Sequence, residues 1–378
     1  MSNIIKVNFN PTWRQNLDEL INRQIQDRVF PGMELLFATH GDVYLHQAWG
    51  KLEIGEDAAK LQTETVFDIA SMTKPMATAT AIMILQEQGL LNLEDCVVEF
   101  IPEFKHEEKQ KITIRHLLTH SSGLPAWANL FESISNKNDA WTQLMQVPLI
   151  HPVNSKMVYS CLGFLILGEI IRRLARQSLA QFTRSKIFEP LQMNSTCFSP
   201  LEHIPENQIA PTEYCPYRKK LLRGVVHDEN CYVFDEEGGN AGLFSKAQEI
   251  YRFCQMIFNG GELDGARILS PQSVRIMTRN HNPDTLAPRG LGWDISGEGW
   301  GYMSCGELFP RGSIGHTGFT GTSFWLHLPS RTAVIALTNR VHISREKKLA
   351  EMHRFRPRLH NILMASIEPR NAESTENS

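Results

Sequence analysis

Hydrophobic positions along the chain change between helical and strand spacing in a clear order. Residues 11–28 show helical spacing, and two strand-like runs follow at 33–38 and 43–49. The short polar stretch between these runs predicts a hairpin. Residues 90–225 read mainly as helices and loops. Two further β-rich runs, 322–328 and 332–338, predict a second hairpin.

The end of the chain completes this order. A helix is predicted near residues 357–367, followed by a polar tail, 368–378, that is expected to be disordered. Strands therefore occur near both ends of the chain, with a helical segment between them. This arrangement predicts one sheet built from both ends and a helical insertion beside it. A chain of 378 residues can bury a sizeable core.

The most apolar helical stretch, residues 75–85, directly follows a serine and a lysine that are three positions apart, Ser71 and Lys74. At this spacing both side chains lie on one face of a helix. A serine is a weak nucleophile without a neighbouring base. A lysine near a helix N-terminus and among apolar groups is expected to lose its proton more easily than in water. The pair therefore predicts an acylating serine without a Ser-His-Asp triad.

A second Ser-x-x-Lys match occurs at Ser344 and Lys347. About one such match is expected by chance in a chain of this composition, so the motif alone decides nothing. Charged residues surround the second match, which is interpreted as a solvated helix start. A charged lysine beside a buried helix is costly without a partner or a function. This contrast favours Ser71 and Lys74.

Composition excludes several function classes. The chain has 38 basic and 41 acidic residues and no basic stripe, which argues against binding nucleic acid or a membrane surface. Its longest apolar stretch, 157–168, is too short to span a bilayer. Seven scattered cysteines without a Cys-x-x-Cys pair predict reduced thiols. No secretory signal is recognised at the N-terminus, so a cytoplasmic location is expected.

Two further segments carry candidate chemistry. Tyr159 precedes an apolar, helix-like run, and its phenol can carry a proton if neighbouring cations lower its pKa. Taken alone, it reads more simply as a core tyrosine. His316 and Gly318 lie in a glycine-rich stretch before a strand, where a backbone N–H could face a developing oxyanion. The simpler interpretation is a turn with a surface histidine.

Other histidines are given structural interpretations. His116 and His120 are four apart without an acidic or cysteine partner at ligand spacing, which favours a structural helix face. His227 and Asp228 are adjacent and could orient a proton carrier, but a loop salt bridge is the preferred interpretation. Nucleophile-elbow, zinc-protease, P-loop and dinucleotide-binding motifs are all absent from the sequence.

Three motifs in one order carry a resemblance. Ser71-x-x-Lys74, Tyr159-Ser160-Cys161 and His316-Thr317-Gly318 resemble the motifs of the serine β-lactamase and penicillin-binding protein superfamily. The similarity is greatest to the class C-like branch, which includes carboxylesterases, D-aminopeptidases and DD-carboxypeptidases. Residues 114–125, 238–245 and 315–322 also resemble that branch, and the similarity covers about residues 12–342.

The resemblance implies an α+β fold of the β-lactamase/transpeptidase type. An antiparallel sheet flanked by helices would be formed by residues 1–85 and 226–367, and an all-helical domain by residues 86–225. The active site is expected between the two domains. Neither a metal nor an organic cofactor is required.

The resemblance also implies roles for individual residues. Ser71 would attack a carbonyl carbon and form an acyl-enzyme, while Lys74 and Tyr159 share the acid and base roles. The residues implied for the oxyanion hole and for substrate binding are Ser71, Phe319, His316, Gly318 and Cys161. Backbone N–H groups of Ser71 and Phe319 would be the oxyanion donors.

Two departures from the family pattern narrow the substrate. β-Lactamases and DD-peptidases of this kind usually have lysine at the position of His316, and a mostly neutral histidine is a poorer carboxylate anchor. They tend to have asparagine at the position of Cys161, and a thiol is only a weak hydrogen-bond donor. Both changes favour a carboxylesterase acting on small acyl esters.

Several alternatives stay open at this stage. One is a D-aminopeptidase, DD-carboxypeptidase or weak β-lactamase or penicillin-binding activity on an amide substrate. Another is a non-catalytic binding or assembly protein that keeps the same scaffold. The sequence defines neither the natural substrate nor the oligomeric state.

Overall fold

The computed structural model describes residues 9–132, 136–297, 303–346 and 348–367. Its main sheet consists of β1 (Gly32–Thr39), β2 (Asp42–Gly50), β3 (Asp294–Ile295), β4 (Ile314–Thr317), β5 (Ser323–His327) and β6 (Thr332–Thr338). The strand order is β2-β1-β6-β5-β4-β3, and every neighbouring pair is antiparallel. The α+β fold and a sheet built from both ends of the chain are therefore confirmed.

Helices surround the sheet and fill the middle of the chain. The α-helices are α1 (Trp13–Gln26), α2 (Thr80–Glu87), α3 (Val97–Phe100), α4 (Ile114–Leu118), α5 (Lys137–Gln146), α6 (Cys161–Ala175), α7 (Leu179–Thr183), α8 (Glu229–Val233), α9 (Ala247–Phe258), α10 (Pro271–Thr278) and α11 (Leu349–Ser366). Short strand pairs join Phe67–Asp68 to Phe244–Ser245, Tyr214–Cys215 to Lys220–Leu221, and Glu262–Leu263 to Ala266–Arg267. Among the described residues, none of these helices has the length and apolar composition of a membrane span. The division at residues 85 and 225 stays a prediction.

Strand β1 is buried on both faces because helices cover the sheet on two sides. Successive side chains of a strand point to opposite faces. Leu35 and Phe37 accordingly belong to a core cluster shared with α1 and α11. Leu36 and Ala38 belong to the larger cluster, which includes α6 and α9. Every residue of β1 is buried, which explains why most of its residues are apolar on both faces.

The last helix is longer than predicted. It was expected near residues 357–367, but α11 runs from Leu349 to Ser366 with Pro357 inside it. An internal proline removes one backbone hydrogen bond. The helix is held nonetheless because Phe355, Leu359 and Leu363 are at most 1 % exposed against α1 and the sheet. The predicted disordered tail, 368–378, lies outside the described residues.

The helix predicted after Ser71 is present but is not a regular α-helix. One 3₁₀ turn, Ala70–Met72, is followed by a π-helical segment, Lys74–Ala79, and then by α2. All residues from 72 to 85 are buried, as the apolar composition predicted. The wider turn of the π-helix changes the direction in which the polar residues at its start point.

Candidate active site

The candidate nucleophile follows a sharp turn at the end of a short strand. Strand Phe67–Asp68 ends just before Ala70, whose φ of +47° lies in the left-handed region. That conformation costs about 1–3 kcal/mol for a residue other than glycine. The Asp68 carboxylate supports it by accepting the Ala70 N–H at 2.8 Å. Ser71 comes next, partly exposed to solvent.

The Lys74 ammonium contacts the Ser71 hydroxyl directly. Lys74 is completely buried. Its Nζ donates to Ser71 Oγ at 2.9 Å, to the Asn240 carbonyl oxygen at 2.8 Å and to Cys161 Sγ at 3.5 Å. An ammonium has three donors, and these contacts place it between the nucleophile, the start of α6 and the segment of Asn240. The predicted pairing of Ser71 and Lys74 is therefore present in the structure.

The expectation that Lys74 loses its proton easily is wrong. Burial alone would lower the pKa of Lys74, but the negative charge that Cys161 and Tyr159 acquire on ionisation outweighs it. The pKa of Lys74 is consequently raised above its ordinary value. The sequence suggested the opposite because it showed the apolar helix but not the two ionisable groups beside it.

Tyr159 lies beside the same pair of residues. It directly precedes α6, and Ser160 caps that helix by accepting the Gly163 N–H. The Tyr159 hydroxyl interacts with both Lys74 and Ser71, and Lys74 Nζ lies 5.0 Å from the centre of the phenol ring. Burial raises the pKa of Tyr159, and the Lys74 ammonium opposes that rise only in part. Both groups therefore hold their protons at neutral pH.

His120 is a residue of this site that the sequence did not reveal. It was expected on a structural helix face with His116, but α4 ends at Leu118 and the His120 φ is +58°. Its Nδ1 accepts the Ser160 N–H at 3.0 Å, and its ring centre lies 4.5 Å from that of Tyr159. His120 thus supports the backbone and the ring of the segment that presents Tyr159.

His316 is buried, which contradicts a surface histidine. It is 1 % exposed, and its Nδ1–H donates to the Thr317 carbonyl oxygen at 2.9 Å. Burial, together with the cations Lys74 and Arg289, lowers the pKa of His316 well below its ordinary value. The imidazole is therefore neutral at pH 7 and offers no positive charge to a substrate carboxylate.

The glycine-rich segment forms the turn between β4 and β5. A Cβ on Gly318 would lie 2.1 Å from Thr322 Oγ1 and 2.6 Å from the Ile69 carbonyl oxygen. Only glycine permits this close approach to the strand that precedes Ser71. Phe319 follows with its side chain 47 % exposed. Its backbone N–H donates to no atom among the described residues, so it can serve an incoming oxygen.

A cavity of about 400 Å³ joins these groups. Its lining includes the nucleophile segment, the start of α6, the β4–β5 turn and polar residues from the end of the chain. The lining residues are Ala70, Ser71, Trp127, Tyr159, Cys161, His227, Asp228, Glu229, Ala241, Thr317, Gly318, Phe319, Arg340, Arg345, Leu349, His353 and Arg356. The volume suits a small-molecule substrate.

His227 and Asp228 do not pair with each other. His227 Nε2 lies 3.3 Å from Glu213 Oε1. The Asp228 carboxylate caps α8 by accepting the Cys231 N–H at 2.7 Å. Both residues line the cavity, and the acidic partner of His227 is Glu213 and not the neighbouring Asp228.

One group of side chains has the donor atoms of a metal site. The ligand atoms of Glu213, Cys215 and Glu229 lie within 4.8 Å of one another. Both carboxylates, however, form ion pairs with Arg345. The guanidinium already neutralises these anions, which makes them poor ligands for a cation.

The second Ser-x-x-Lys match has a different setting. Ser344 lies in the loop before α11 and is partly exposed. Lys347 lies outside the described residues, so its interpretation as part of a solvated helix start stays a prediction.

Comparison with known proteins shows the family of the chain. A family model described as Beta-lactamase matches residues 17–355. The chain belongs to the beta-lactamase family. The resemblance inferred from three short motifs is thereby confirmed over most of the chain.

Members and structural neighbours of the beta-lactamase family carry several names. A protein of Salmonella agona named "Putative D-alanyl-D-alanine carboxypeptidase" is 30 % identical over 371 residues, covering 89 % of this chain and 85 % of that protein. The structure of EstCE1, described as a hydrolase with promiscuous acyltransferase activity, has a TM-score of 0.74 and 19 % identity, covering 93 % and 98 %. An octameric penicillin-binding protein homologue from Pyrococcus abyssi has a TM-score of 0.69 and 21 % identity, covering 90 % and 80 %. The two structures confirm the β-lactamase/transpeptidase-like fold.

Several polar residues of this beta-lactamase family site were missed from sequence. Asn240 accepts from Lys74, Arg289 lies over the Tyr159 ring, and Asp68 accepts the N–H of Ala70, the residue before Ser71. Asn240 lies within the stretch 238–245 that resembled the family, which was the available signal. No sequence signal indicated Arg289, because a single arginine in a loop is usually a surface residue.

Proposed function

We propose that the protein is a serine hydrolase that cleaves small carboxylic esters through an acyl-enzyme on Ser71. The observation that carries the proposal is the 2.9 Å contact between Lys74 Nζ and Ser71 Oγ at the wall of a substrate-sized cavity. A hydroxyl held by a proton-carrying group and open to a cavity has the arrangement of an activated nucleophile.

The proposed reaction has two steps. In the basic form of the Lys74–Tyr159 pair, Ser71 Oγ attacks the ester carbonyl carbon and gives its proton to the pair, and the pair gives a proton to the leaving alcohol oxygen as the C–O bond breaks. Water then attacks the acyl carbon, the bond from that carbon to Ser71 Oγ breaks, and the Lys74–Tyr159 pair passes a water proton to Oγ as the carboxylic acid leaves. The backbone N–H groups of Ser71 and Phe319 stabilise the oxyanion in each step.

Two residues support an ester as the preferred substrate. The buried, neutral His316 supplies no cation for a carboxylate. Cys161 Sγ faces Lys74 at 3.5 Å and is too weak a donor to hold a substrate amide firmly. A simple ester requires neither a cation for a carboxylate nor a hydrogen-bond donor for an amide, because only its carbonyl group takes part in the reaction.

A DD-carboxypeptidase activity is the second candidate. Curated relatives of this chain carry that name. In addition, Arg340, Arg345 and Arg356 line the cavity. Guanidinium groups bind carboxylates well. Arg340 and Arg356 already donate to backbone carbonyl oxygens, however, and Arg345 pairs with two glutamates, which favours the ester.

The location is a further part of the proposal. All seven cysteines are free, which supports a reducing compartment such as the cytoplasm.

A substrate panel tests the proposed function. Purified wild type and Ser71→Ala would be assayed with p-nitrophenyl butyrate, a D-alanyl-D-alanine peptide, a D-alanyl p-nitroanilide and a chromogenic cephalosporin. We expect the highest kcat/KM for the ester and a Ser71 peptide heavier by one butyryl group in mass spectrometry. Faster turnover of the D-alanyl substrates or the cephalosporin would overturn the substrate ranking. A protein that turns over nothing and resists a fluorophosphonate probe at Ser71 would be a binding protein.

Ester hydrolysis is expected to accelerate with rising pH. The pKa of Lys74 and that of Tyr159 are both raised, so the pair holds its protons at neutral pH and its basic form becomes more abundant as pH increases. The basic fraction, and with it kcat/KM, should grow by up to about tenfold per pH unit between about pH 6 and about pH 9. Initial rates with p-nitrophenyl butyrate, corrected with Ser71→Ala at each pH, measure this profile. A rate that is flat or falls across this range would contradict the protonation state inferred here.

A further inference from the structure

The turn that presents the Phe319 N–H is tightly folded. Gly321 N–H donates to the Gly318 carbonyl oxygen at 3.1 Å, and Gly318 N–H donates to the Thr322 carbonyl oxygen at 2.8 Å. Gly321 has a φ of +116°, which favours glycine. We call residues 318–322 the oxyanion turn.

Two threonines join the oxyanion turn to the segment before the nucleophile. Thr320 Oγ1 donates to the Asp68 carbonyl oxygen at 2.8 Å. Thr322 Oγ1 donates to the Ile69 carbonyl oxygen at 3.2 Å. These bonds fix the position of the turn relative to Ser71.

Two arginines bind the same turn through its carbonyl oxygens. Arg356 Nη2, from α11, donates to the Gly318 and Thr322 carbonyl oxygens, at 3.0 Å in each case. Arg340 Nη2, from the loop after β6, donates to the Phe319 carbonyl oxygen at 2.7 Å. Arg356 is 6 % exposed and Arg340 is 2 % exposed. Burial and the neighbouring Arg356 lower the pKa of Arg340 to about 10, so it stays cationic at neutral pH.

The bond from Arg356 acts on one particular peptide unit. The Gly318 carbonyl and the Phe319 N–H belong to the same amide. A charged donor on the carbonyl oxygen draws electron density from the amide nitrogen and makes its N–H a stronger donor, an effect that a low local dielectric increases. Arg340 adds a second positive charge on the next peptide unit.

We propose that Arg356 is a positioning residue of the reaction, which polarises the Gly318–Phe319 peptide and holds its N–H toward the oxyanion, with Arg340 supporting the following peptide. This inference rests on the proposed function of Ser71 and on the Phe319 N–H as an oxyanion donor. It assigns a role in transition-state stabilisation to side chains that act through the backbone of the oxyanion turn.

Substitution of Arg356 tests the inference. Arg356→Met removes the charge and both hydrogen bonds, while Arg356→Lys keeps a charge but lacks the planar fork that reaches two carbonyl groups. We expect kcat for p-nitrophenyl butyrate to fall about 10–100-fold in Arg356→Met, less than for loss of an oxyanion donor itself, with KM nearly unchanged. Arg356→Lys should lie between wild type and Arg356→Met.

Two readouts separate this role from simple support of the fold. A boronic acid that forms a tetrahedral adduct with Ser71 should lose affinity in Arg356→Met by the same factor as kcat. The carbonyl stretch of the butyryl-enzyme, measured by infrared difference spectroscopy, should move to higher wavenumber because the hydrogen bond to its oxygen weakens. Arg358→Met is the matched control, because Arg358 is an exposed arginine of the same helix. It should change neither readout.

The outcomes distinguish the inference from the proposed function. A wild type that forms no acyl-enzyme on Ser71 overturns both. A wild type that acylates normally, with Arg356→Met unchanged in kcat, boronate affinity and carbonyl frequency, overturns only the role of Arg356. Arg356→Met could also lose thermal stability and be unsuitable for the measurement. In that case, a folded Arg356→Lys with wild-type kcat, boronate affinity and carbonyl frequency overturns the role of Arg356.

Discussion

Ser71→Ala is expected to lower kcat/KM for p-nitrophenyl butyrate by at least about 10⁴-fold. The Ser71 hydroxyl is the only part of the proposed mechanism that forms a covalent bond with the acyl group. Removing it leaves the cavity and the oxyanion turn without a nucleophile. Initial rates at ester concentrations below KM measure the loss of kcat/KM, and intact-protein mass spectrometry after rapid quenching measures the loss of acyl-enzyme.

Ser344→Ala provides the matched control for this experiment. Ser344 belongs to the other Ser-x-x-Lys match and is also partly exposed, but it lies in the loop before α11. The two variants undergo the same chemical change, and Ser344→Ala should keep wild-type turnover. Equal losses in both variants, or ester turnover that survives in Ser71→Ala, would contradict the assignment of Ser71.

Lys74→Met is expected to lower kcat for the ester by about 10³–10⁴-fold. Methionine has a similar length but neither donates to Ser71 Oγ nor carries a proton. The Ser71 hydroxyl stays in place, so a fluorophosphonate should still label it, though much more slowly. Stopped-flow measurement of the acylation rate, together with the steady-state kcat, tests this expectation.

Lys109→Met controls for the removal of a buried lysine. Lys109 is 2 % exposed, donates to the Met145 carbonyl oxygen at 2.6 Å and lies 4.8 Å over the Phe104 ring, outside the cavity lining. Its loss should affect thermal stability and leave kcat within a few-fold of wild type. Retention of more than about one tenth of wild-type kcat in Lys74→Met would exclude Lys74 as the main proton carrier.

The nucleophile and the sheet were predictable because their signals are local. Alternating and helical hydrophobic spacing depends on neighbouring residues, and it placed both hairpins within a residue or two of their observed ends. Ser71 and Lys74 were identified by the same kind of information, namely the apolar stretch directly behind them. Local spacing could not show that this stretch begins as 3₁₀ and π-helical turns, since α-helical and π-helical segments have similar composition.

The environment of the site was not predictable because its contacts are distant in sequence. His120 reaches Tyr159, and Arg340 and Arg356 reach the oxyanion turn, through folds of the chain that no short window contains. The pKa of Lys74 was misjudged for the same reason, since Cys161 lies 87 positions away. The predicted helix began at Pro357 and not at Leu349 because the local cost of an internal proline is visible in the sequence and the tertiary packing that offsets it is not.

The bond between Thr320 and Asp68 spans 252 positions of the chain. The two arginines that bind the oxyanion turn, Arg340 and Arg356, come later still, after β6. A ribosome-bound chain that stops before β6 has Ser71 and Lys74 but neither of these arginines. Under the proposed mechanism, such a chain acylates itself only slowly, and full reactivity toward esters begins when the last strand and helix have docked. The rate at which a fluorophosphonate labels Ser71 during refolding would thus report the completion of the sheet, separately from the earlier formation of helices.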